Sequence, residues 1–251
     1  MNQTVLITGG TGKFGRKFVS HFLEKNWRVV CITTSSARGQ DLADSLGSPT
    51  GLDVITLNLL DPDAASKLLD QLSKRECSLN HLVNNARSLE SLKTDEFGRT
   101  ARKEFMDEYL MDVVVPYELS MAIFNAQPNQ LKTITNIGSQ YGVVAANPNL
   151  YDGNPTKSPI QYGVAKAALQ HLTKELAVRM AGQGVRVNCI AYGGVEGRVS
   201  DLFKARYAAL TPMGRMLSED EVIGPLDFLM SEKSTSVTGH TLIADGGWSI
   251  W

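Results

Sequence analysis

Tyr162-Gly163-Val164-Ala165-Lys166 opens a segment whose apolar positions continue at helical spacing through Leu169, Leu172 and Leu176. Four residues of separation put Tyr162 and Lys166 on one helix face, one turn apart. A free phenol ionises near about pH 10, too high for a base at neutral pH. A neighbouring ammonium favours the phenolate, which is the tuning that acid–base catalysis requires. A lone Y-x-x-x-K can occur on any helix, as a half-buried Tyr beside a surface Lys. Here Asn136-Ile137-Gly138-Ser139 follows an apolar run and offers a hydroxyl for a substrate oxygen, and Asn84-Asn85-Ala86-Arg87 closes another.

A second group of residues suits phosphate. In Val5-Leu6-Ile7-Thr8-Gly9-Gly10-Thr11-Gly12-Lys13-Phe14-Gly15, the glycines at 10, 12 and 15 fit G-x-G-x-x-G between a first strand and a first helix. Glycines there permit a tight turn and close approach of the backbone to a pyrophosphate, and the helix N-terminus favours the anion. A carboxylate about 20 residues further on would bond the ribose hydroxyls of NAD. The chain instead carries Thr33-Thr34-Ser35-Ser36 and then Arg38, with Lys13 in the loop itself. Hydroxyls and positive charge suit a 2′-phosphate, so NADP(H) is favoured, with NAD(H) as the alternative.

These groups must be held by a scaffold, and the chain alternates short apolar runs with helix-sized intervals. The runs are Val5-Leu6-Ile7, Arg28 to Ile32, Val54 to Leu57, His81-Leu82-Val83, Lys132 to Thr135, Arg186 to Ile190 and Thr241-Leu242-Ile243. Helices are expected from about Lys13 to Lys25, from Asp61-Pro62, over Phe105–Asn125 and over Gln161–Met180. Such alternation predicts an α/β fold: a single-domain, Rossmann-type, doubly wound parallel sheet of about seven strands flanked by helices. The 251 residues are read as one unit, 1–251. Two turn-rich loops, about 145–159 and 192–212, flank the motifs and are expected to bind substrate.

A formal charge of −1, with acidic and basic residues interspersed, gives no case for a nucleic-acid or membrane partner. No apolar stretch approaches membrane-spanning length and no secretion signal is read at the N-terminus, so a soluble, cytoplasmic protein is expected. Cys31, Cys77 and Cys189 lie far apart without ligand spacing, and His21, His81, His171 and His240 are scattered. Neither a disulfide framework nor a metal site is expected.

Taken together, the glycine loop, Asn84-Asn85-Ala86, Ser139, the Tyr162/Lys166 pair and the loop after Val187-Asn188 resemble the short-chain dehydrogenase/reductase family, in family order and across essentially the whole chain. The resemblance implies a nicotinamide-dependent oxidoreductase. Ser139 would polarise the substrate oxygen and Tyr162 would exchange the proton. Lys166 would hold the nicotinamide ribose, and Asp112 aligns with the asparagine that completes the catalytic set. Gly9, Thr11, Gly12, Lys13, Phe14 and Gly15 would cradle the cofactor. Thr33, Thr34, Ser35, Asn58 and Leu59 would surround its adenosine end, and Asn84, Asn85, Ala86, Gly193 and Val195 would line it further along. The family also implies a homo-oligomer, a tetramer or dimer.

Four positions depart from the family pattern. They are Asp112 for asparagine, Lys13 for glycine, Tyr192 for the proline before Gly193, and a Ser139-to-Tyr162 separation of 23 positions. The inserted residues, with Asp245-Gly246-Gly247-Trp248, resemble members from surface-sugar and nonulosonic-acid (flagellin-modifying) pathways. A polar loop carrying Asn149, Tyr151, Asp152 and Asn154 suits a sugar-derived substrate, with Arg87 and Arg198 pairing an anionic group. Substrate contacts are thus expected from Arg87, Ser139, Tyr151 and Arg198. The alternatives are a carbonyl reductase for acyl or xenobiotic ketones, which predicts an apolar loop, and a dinucleotide sensor without turnover.

Overall fold

Seven parallel strands form one sheet in the order β3-β2-β1-β4-β5-β6-β7. They are β1 (Thr4–Thr8), β2 (Arg28–Thr33), β3 (Leu52–Thr56), β4 (His81–Asn84), β5 (Thr133–Ile137), β6 (Arg186–Tyr192) and β7 (Thr241–Ala244). The computed structural model describes residues 3–197 and 199–251, so the expected substrate contact at Arg198 lies outside the described residues.

The strands read as continuous apolar runs because helices cover both faces of a parallel sheet. Side chains alternate between the faces. Leu6, Val30 and Ile32 join the core packed by α3 (Ala64–Lys74), α5 (Val115–Ala126) and α6 (Ile160–Met180). Val5, Ile7, Val29 and Cys31 join the opposite core, under α1 (Lys13–Glu24), α2 (Ser36–Ser45) and α8 (Ile223–Met230). The chain winds outward through β2 and β3, then returns to β4 on the other side of β1. That reversal opens a crevice at the carboxyl ends of β1 and β4, where such sheets bind ligands.

Two expectations about helices are corrected. The helix expected from Asp61-Pro62 begins at Ala64. Asn58 Nδ2 donates to Asp61 Oδ1 at 2.8 Å and Ala64 N donates to Asp61 O at 2.9 Å, so residues 58–63 form turns first. The helix expected over Phe105–Asn125 is interrupted. It consists of α4 (Arg102–Tyr109), a π-helical turn at Leu110–Val114, and α5. Pro116 is the cause. It has no N–H to give the carbonyl four residues back, that of Asp112, and its ring crowds that carbonyl. The wider turn, with Val115 N bonded to Leu110 O, absorbs the mismatch. π-turns of this kind often sit at functional sites, and this one holds Asp112.

His81 is 2% exposed, stacked on Trp27 at 4.8 Å, with Nδ1 at 2.7 Å from Thr133 Oγ1. Burial, with Lys132 and Arg186 nearby, pushes its pKa down to about 3, so it is a neutral core residue. Cys31, Cys77 and Cys189 are buried free thiols. Among the described residues no cluster of three His, Cys, Asp or Glu is placed to hold a metal, and no helix is long and apolar enough to cross a membrane.

Candidate active site

The crevice opens into a cavity of about 700 Å³. Its floor at one end is the turn between β1 and α1. Gly9 there has φ +63°, and a Cβ on it would lie 2.9 Å from the Ala86 Cα, so the glycine loop and the end of β4 touch through backbone. Thr8 Oγ1 accepts from Asn85 N and Ala86 N, both at 2.9 Å, and Asn85 Nδ2 donates to Thr8 O at 2.9 Å. The N-terminus of α1 follows Gly12, which carries no side chain to cap it. Its free N–H groups and dipole therefore face the cavity as an anion site. That cradle fits the pyrophosphate of a dinucleotide.

Gly15 does not line the cavity. A Cβ on it would lie 2.2 Å from Gly9 O and 2.6 Å from Gly10 Cα, so it is the residue on which helix and loop close. Gly15→Ala should push the loop out of register. We expect dinucleotide affinity to fall by about tenfold or more, a loss of about 1.4 kcal/mol, read by titrating intrinsic fluorescence with NAD(H) and NADP(H).

Thr11, Gly12, Lys13, Phe14, Thr33, Thr34, Leu59, Asn85, Ala86, Gly193 and Val195 all lie in the cavity wall, with Arg38 beside them. Besides Gly15, three expected contacts do not. Asn58 turns its side chain to Asp61 and Leu60 N. Ser35 accepts from Arg38 N as the cap of α2. Asn84 is buried, donating to Asn136 Oδ1 at 2.8 Å. All three are occupied by local backbone or core partners, which their positions after strand ends do not reveal. Lys13 is at the cavity rim, reaching Val195 O at 3.3 Å and Glu219 at 3.6 Å.

At the other end of the cavity, α6 presents Tyr162 and Lys166, and the turn after β5 presents Ser139. Lys166 Nζ lies 2.9 Å from Asp112 Oδ2 and donates to Ile137 O at 3.1 Å. Burial pulls the Lys166 pKa down, but the Asp112 carboxylate and Tyr162 outweigh it and leave it raised. Asp112 is therefore not in the cavity wall; it sits behind Lys166, while its neighbour Met111 faces the cavity.

Among the described residues, five tyrosines line the cavity: Tyr141, Tyr151, Tyr162, Tyr192 and Tyr207. Burial first, and then Tyr151, raise the Tyr141 pKa, and burial raises that of Tyr207. Tyr162 has cations instead, with Arg87 Cζ at 5.1 Å and Lys166 Nζ at 5.7 Å from its ring centroid. A phenol beside cations, with a hydroxyl nearby and an anion cradle along the same cleft, can exchange a proton with a bound alcohol or carbonyl.

The roof differs from what the sequence predicts. In the loop between β5 and α6, Asn147 and Asn154 use their side chains to accept from Asn149 N and Thr156 N, stabilising two short 3-10 turns. Asn149, Asp152 and Asn154 are exposed, and Asp152 pairs with Arg206. Leu150 and Tyr151 face the cavity. Helix α7 (Asp201–Ala209) adds Phe203 and Tyr207, and Tyr207 stacks on Trp248 at 4.6 Å. Tyr207 also donates to Gln140 Oε1 at 2.9 Å and accepts from Gly194 N at 2.7 Å. Tyr141 and Tyr151 hydroxyls meet at 3.1 Å. Gln140, Tyr141, Leu150, Phe203, Tyr207 and Met216 were not legible as site residues. The available signal was the i, i+4 pair Phe203/Tyr207 next to a glycine-rich loop.

Comparison with known proteins agrees with this geometry. Residues 13–249 match the family model described as enoyl-(acyl carrier protein) reductase. The chain belongs to the short-chain dehydrogenase/reductase family and is an oxidoreductase acting on alcohol or carbonyl groups. It is 30% identical to a short chain dehydrogenase from Leptospira borgpetersenii serovar Hardjo-bovis solved with bound NAD+, with a TM-score of 0.87 over 99% of this chain and 93% of that one. It is 28% identical over 255 residues to the 3-oxoacyl-(acyl-carrier-protein) reductase FabG of Salmonella typhimurium, covering 98% of this chain and 96% of that protein. It is 23% identical over 259 residues to the post-translational flagellin modification protein A of Campylobacter coli, covering 99% of both. Solved neighbours of the same fold hold NAD+, NADH or NADP.

Proposed function

We propose that this oxidoreductase transfers a hydride between a nicotinamide dinucleotide and an alcohol or carbonyl, with Tyr162 as the proton-transfer residue. The observation that carries this reading is the Tyr162 ring lying close to both Arg87 and Lys166 in the same cleft as Ser139 and the uncapped start of α1. The bound dinucleotide supplies the hydride chemistry. The chain's own residues do the rest. Ser139 donates to the substrate oxygen, Tyr162 gives or takes the proton on that oxygen, and the cations beside Tyr162 hold its phenolate. NADP(H) is the preferred cofactor, because Thr33, Thr34 and Arg38 stand at the cavity end where an adenosine 2′-phosphate would lie and no carboxylate follows β2. The unit is residues 1–251, working as a homo-oligomer in the cytoplasm.

For the substrate, a sugar-derived alcohol or carbonyl loses one support, since Asn149, Asp152 and Asn154 face solvent. It keeps Arg87, Gln140 and the tyrosine hydroxyls in the cleft. The second reading, reduction of an acyl or xenobiotic ketone, is favoured by the apolar and aromatic roof of Leu150, Tyr151, Phe203 and Met216. Nicotinamide absorbance measured with both cofactors separates them, using sugar phosphates, nucleotide sugars, acyl thioesters and aryl ketones as substrates. Turnover of sugar derivatives alone establishes the first reading. Turnover only of thioesters or aryl ketones establishes the second. Absence of cofactor binding altogether would overturn both.

A further inference from the structure

Lys166 divides its ammonium between two protein oxygens, the Asp112 carboxylate at 2.9 Å and the Ile137 carbonyl at 3.1 Å. The Lys166 and Asp112 side chains are 6% and 1% exposed, so solvent does not screen the pair. An ammonium paired so closely presents a reduced net field to a neighbouring phenol. Arg87 is a second cation at the same ring, and among the described residues it has no carboxylate as a close ion-pair partner. Its guanidinium lies 5.1 Å from the Tyr162 ring centroid, against 5.7 Å for the Lys166 ammonium, within the range where a cation is held by an aromatic face.

A second carboxyl lies behind Asp112. Glu108, 1% exposed and one turn earlier in the chain, accepts a hydrogen bond from the Ser91 hydroxyl. Among the described residues its other oxygen has no partner, and neither Asp112 oxygen meets a well-directed donor despite the short approach of Lys166. Burial, and then the Asp112 charge, raise the Glu108 pKa. That shift favours one negative charge beneath Lys166 over two.

We propose that Asp112 takes up the charge of Lys166 and that Arg87 supplies the positive field that holds the Tyr162 phenolate. Arg87 is then a charge-supplying residue of the reaction, and Asp112 is a positioning residue that acts through Lys166. The inference rests on Tyr162 being the proton-transfer group.

The groups around Tyr162 make the balance explicit. Lys166 comes from α6, Arg87 from the turn after β4, Asp112 from the π-turn and Glu108 from α4. The turn after β5 adds Ser139 and Tyr141, whose ring meets Tyr162 edge-on at 6.5 Å and whose raised pKa keeps it neutral. From β6, Cys189 lies near Lys166, its thiol pushed up to about 12 by burial, and is neutral too. Arg87, Lys166 and Asp112 therefore leave one net positive charge at the phenol. An asparagine at 112 would leave two. Arg87 is exposed in the open cleft, so its contribution is the salt-sensitive one.

The test is a titration of Tyr162 in the cofactor-free protein, followed by phenolate absorbance as the difference from Tyr162→Phe. It needs no substrate and no turnover. Asp112→Asn should lower the midpoint by about one unit or more, a tenfold gain in phenolate at a pH below it. Arg87→Met should raise it by about half a unit or more, an upward shift that added salt reproduces in part. The double variant should return toward the parent protein, Glu108→Gln should leave the midpoint in place, and the acid limb of kcat/KM should move in step. An unmoved midpoint in Asp112→Asn overturns the proposal. So does an Arg87→Met protein whose KM rises while its midpoint stays fixed, since Arg87 then only binds substrate. Full turnover by Tyr162→Phe would instead remove the role given to Tyr162, while the titration still reports the charges around it.

Discussion

Tyr162→Phe should lower kcat/KM by about 10²- to 10⁴-fold, a loss of about 3–5 kcal/mol of transition-state stabilisation, while cofactor binding and thermal stability stay close to those of the parent protein. The asymmetry follows from position. Tyr162 is half-buried in the wall of an open cleft, so removing its hydroxyl empties no core space. The anion cradle at Gly9 and Gly12 lies at the far end of the cavity and is untouched. Stopped assays with nicotinamide absorbance give the rate, fluorescence titration the cofactor affinity, and a melting curve the stability. A variant that binds cofactor normally and turns over at the parent rate would return the chain to the sensor reading, in which the phenol has no chemical task.

The strands, the glycine loop and the Tyr162/Lys166 pair are legible in the sequence because their signals are local and repeated. Each of the seven apolar runs is a strand of one parallel sheet, and the central strands, buried on both faces, have no polar side to hide their pattern. The glycine loop was readable because close backbone approach admits no other residue type, as the Gly9–Ala86 contact shows. The Tyr162/Lys166 pair was readable because helix geometry alone puts i and i+4 on one face. What failed depends on the direction of single side chains. Asn58 and Ser35 stand at the expected strand ends yet turn to cap the following turn and helix.

The inserted loop shows the same limit more sharply. Its composition, rich in Asn and Asp, suggested a polar lining. Asn and Asp are also the residues that bond their own backbone in tight turns, and Asn147 and Asn154 do so here. That leaves Leu150 and Tyr151 as the inward face, joined from more than 50 residues away by Phe203 and Tyr207. Glu108 escaped for another reason. Nothing in Glu-Tyr-Leu-Met-Asp marks a buried pair of carboxyls, because a regular helix and a π-turn aim the second carboxyl in different directions. Only Pro116, four residues after Asp112, hinted that the helix would be disturbed there.

Lys166→Met should destabilise the fold by about 3–5 kcal/mol, the second large effect, and it should do so through Asp112. The Lys166 side chain is 6% exposed and sits against a carboxylate that is 1% exposed. Removing the ammonium strands that carboxylate in a medium where an unpaired charge is costly. The loss is thus mainly the exposure of a partner, and it can be relieved at the partner. Lys166→Met combined with Asp112→Asn should recover most of the stability, because the amide needs no cation. The pH dependence has a definite sign. A stranded carboxyl is driven to hold its proton in the folded state more firmly than in the unfolded chain, so the folded state binds more protons and stability falls as pH rises. Lys166→Met should accordingly be closer to the parent protein in mild acid than in mild alkali, and the double variant should show no such trend. Urea denaturation of the three proteins across that range measures this. Equal destabilisation at every pH, or a double variant as unstable as Lys166→Met, would mean that the ammonium supports the fold by packing alone and that the buried pair carries no energetic coupling.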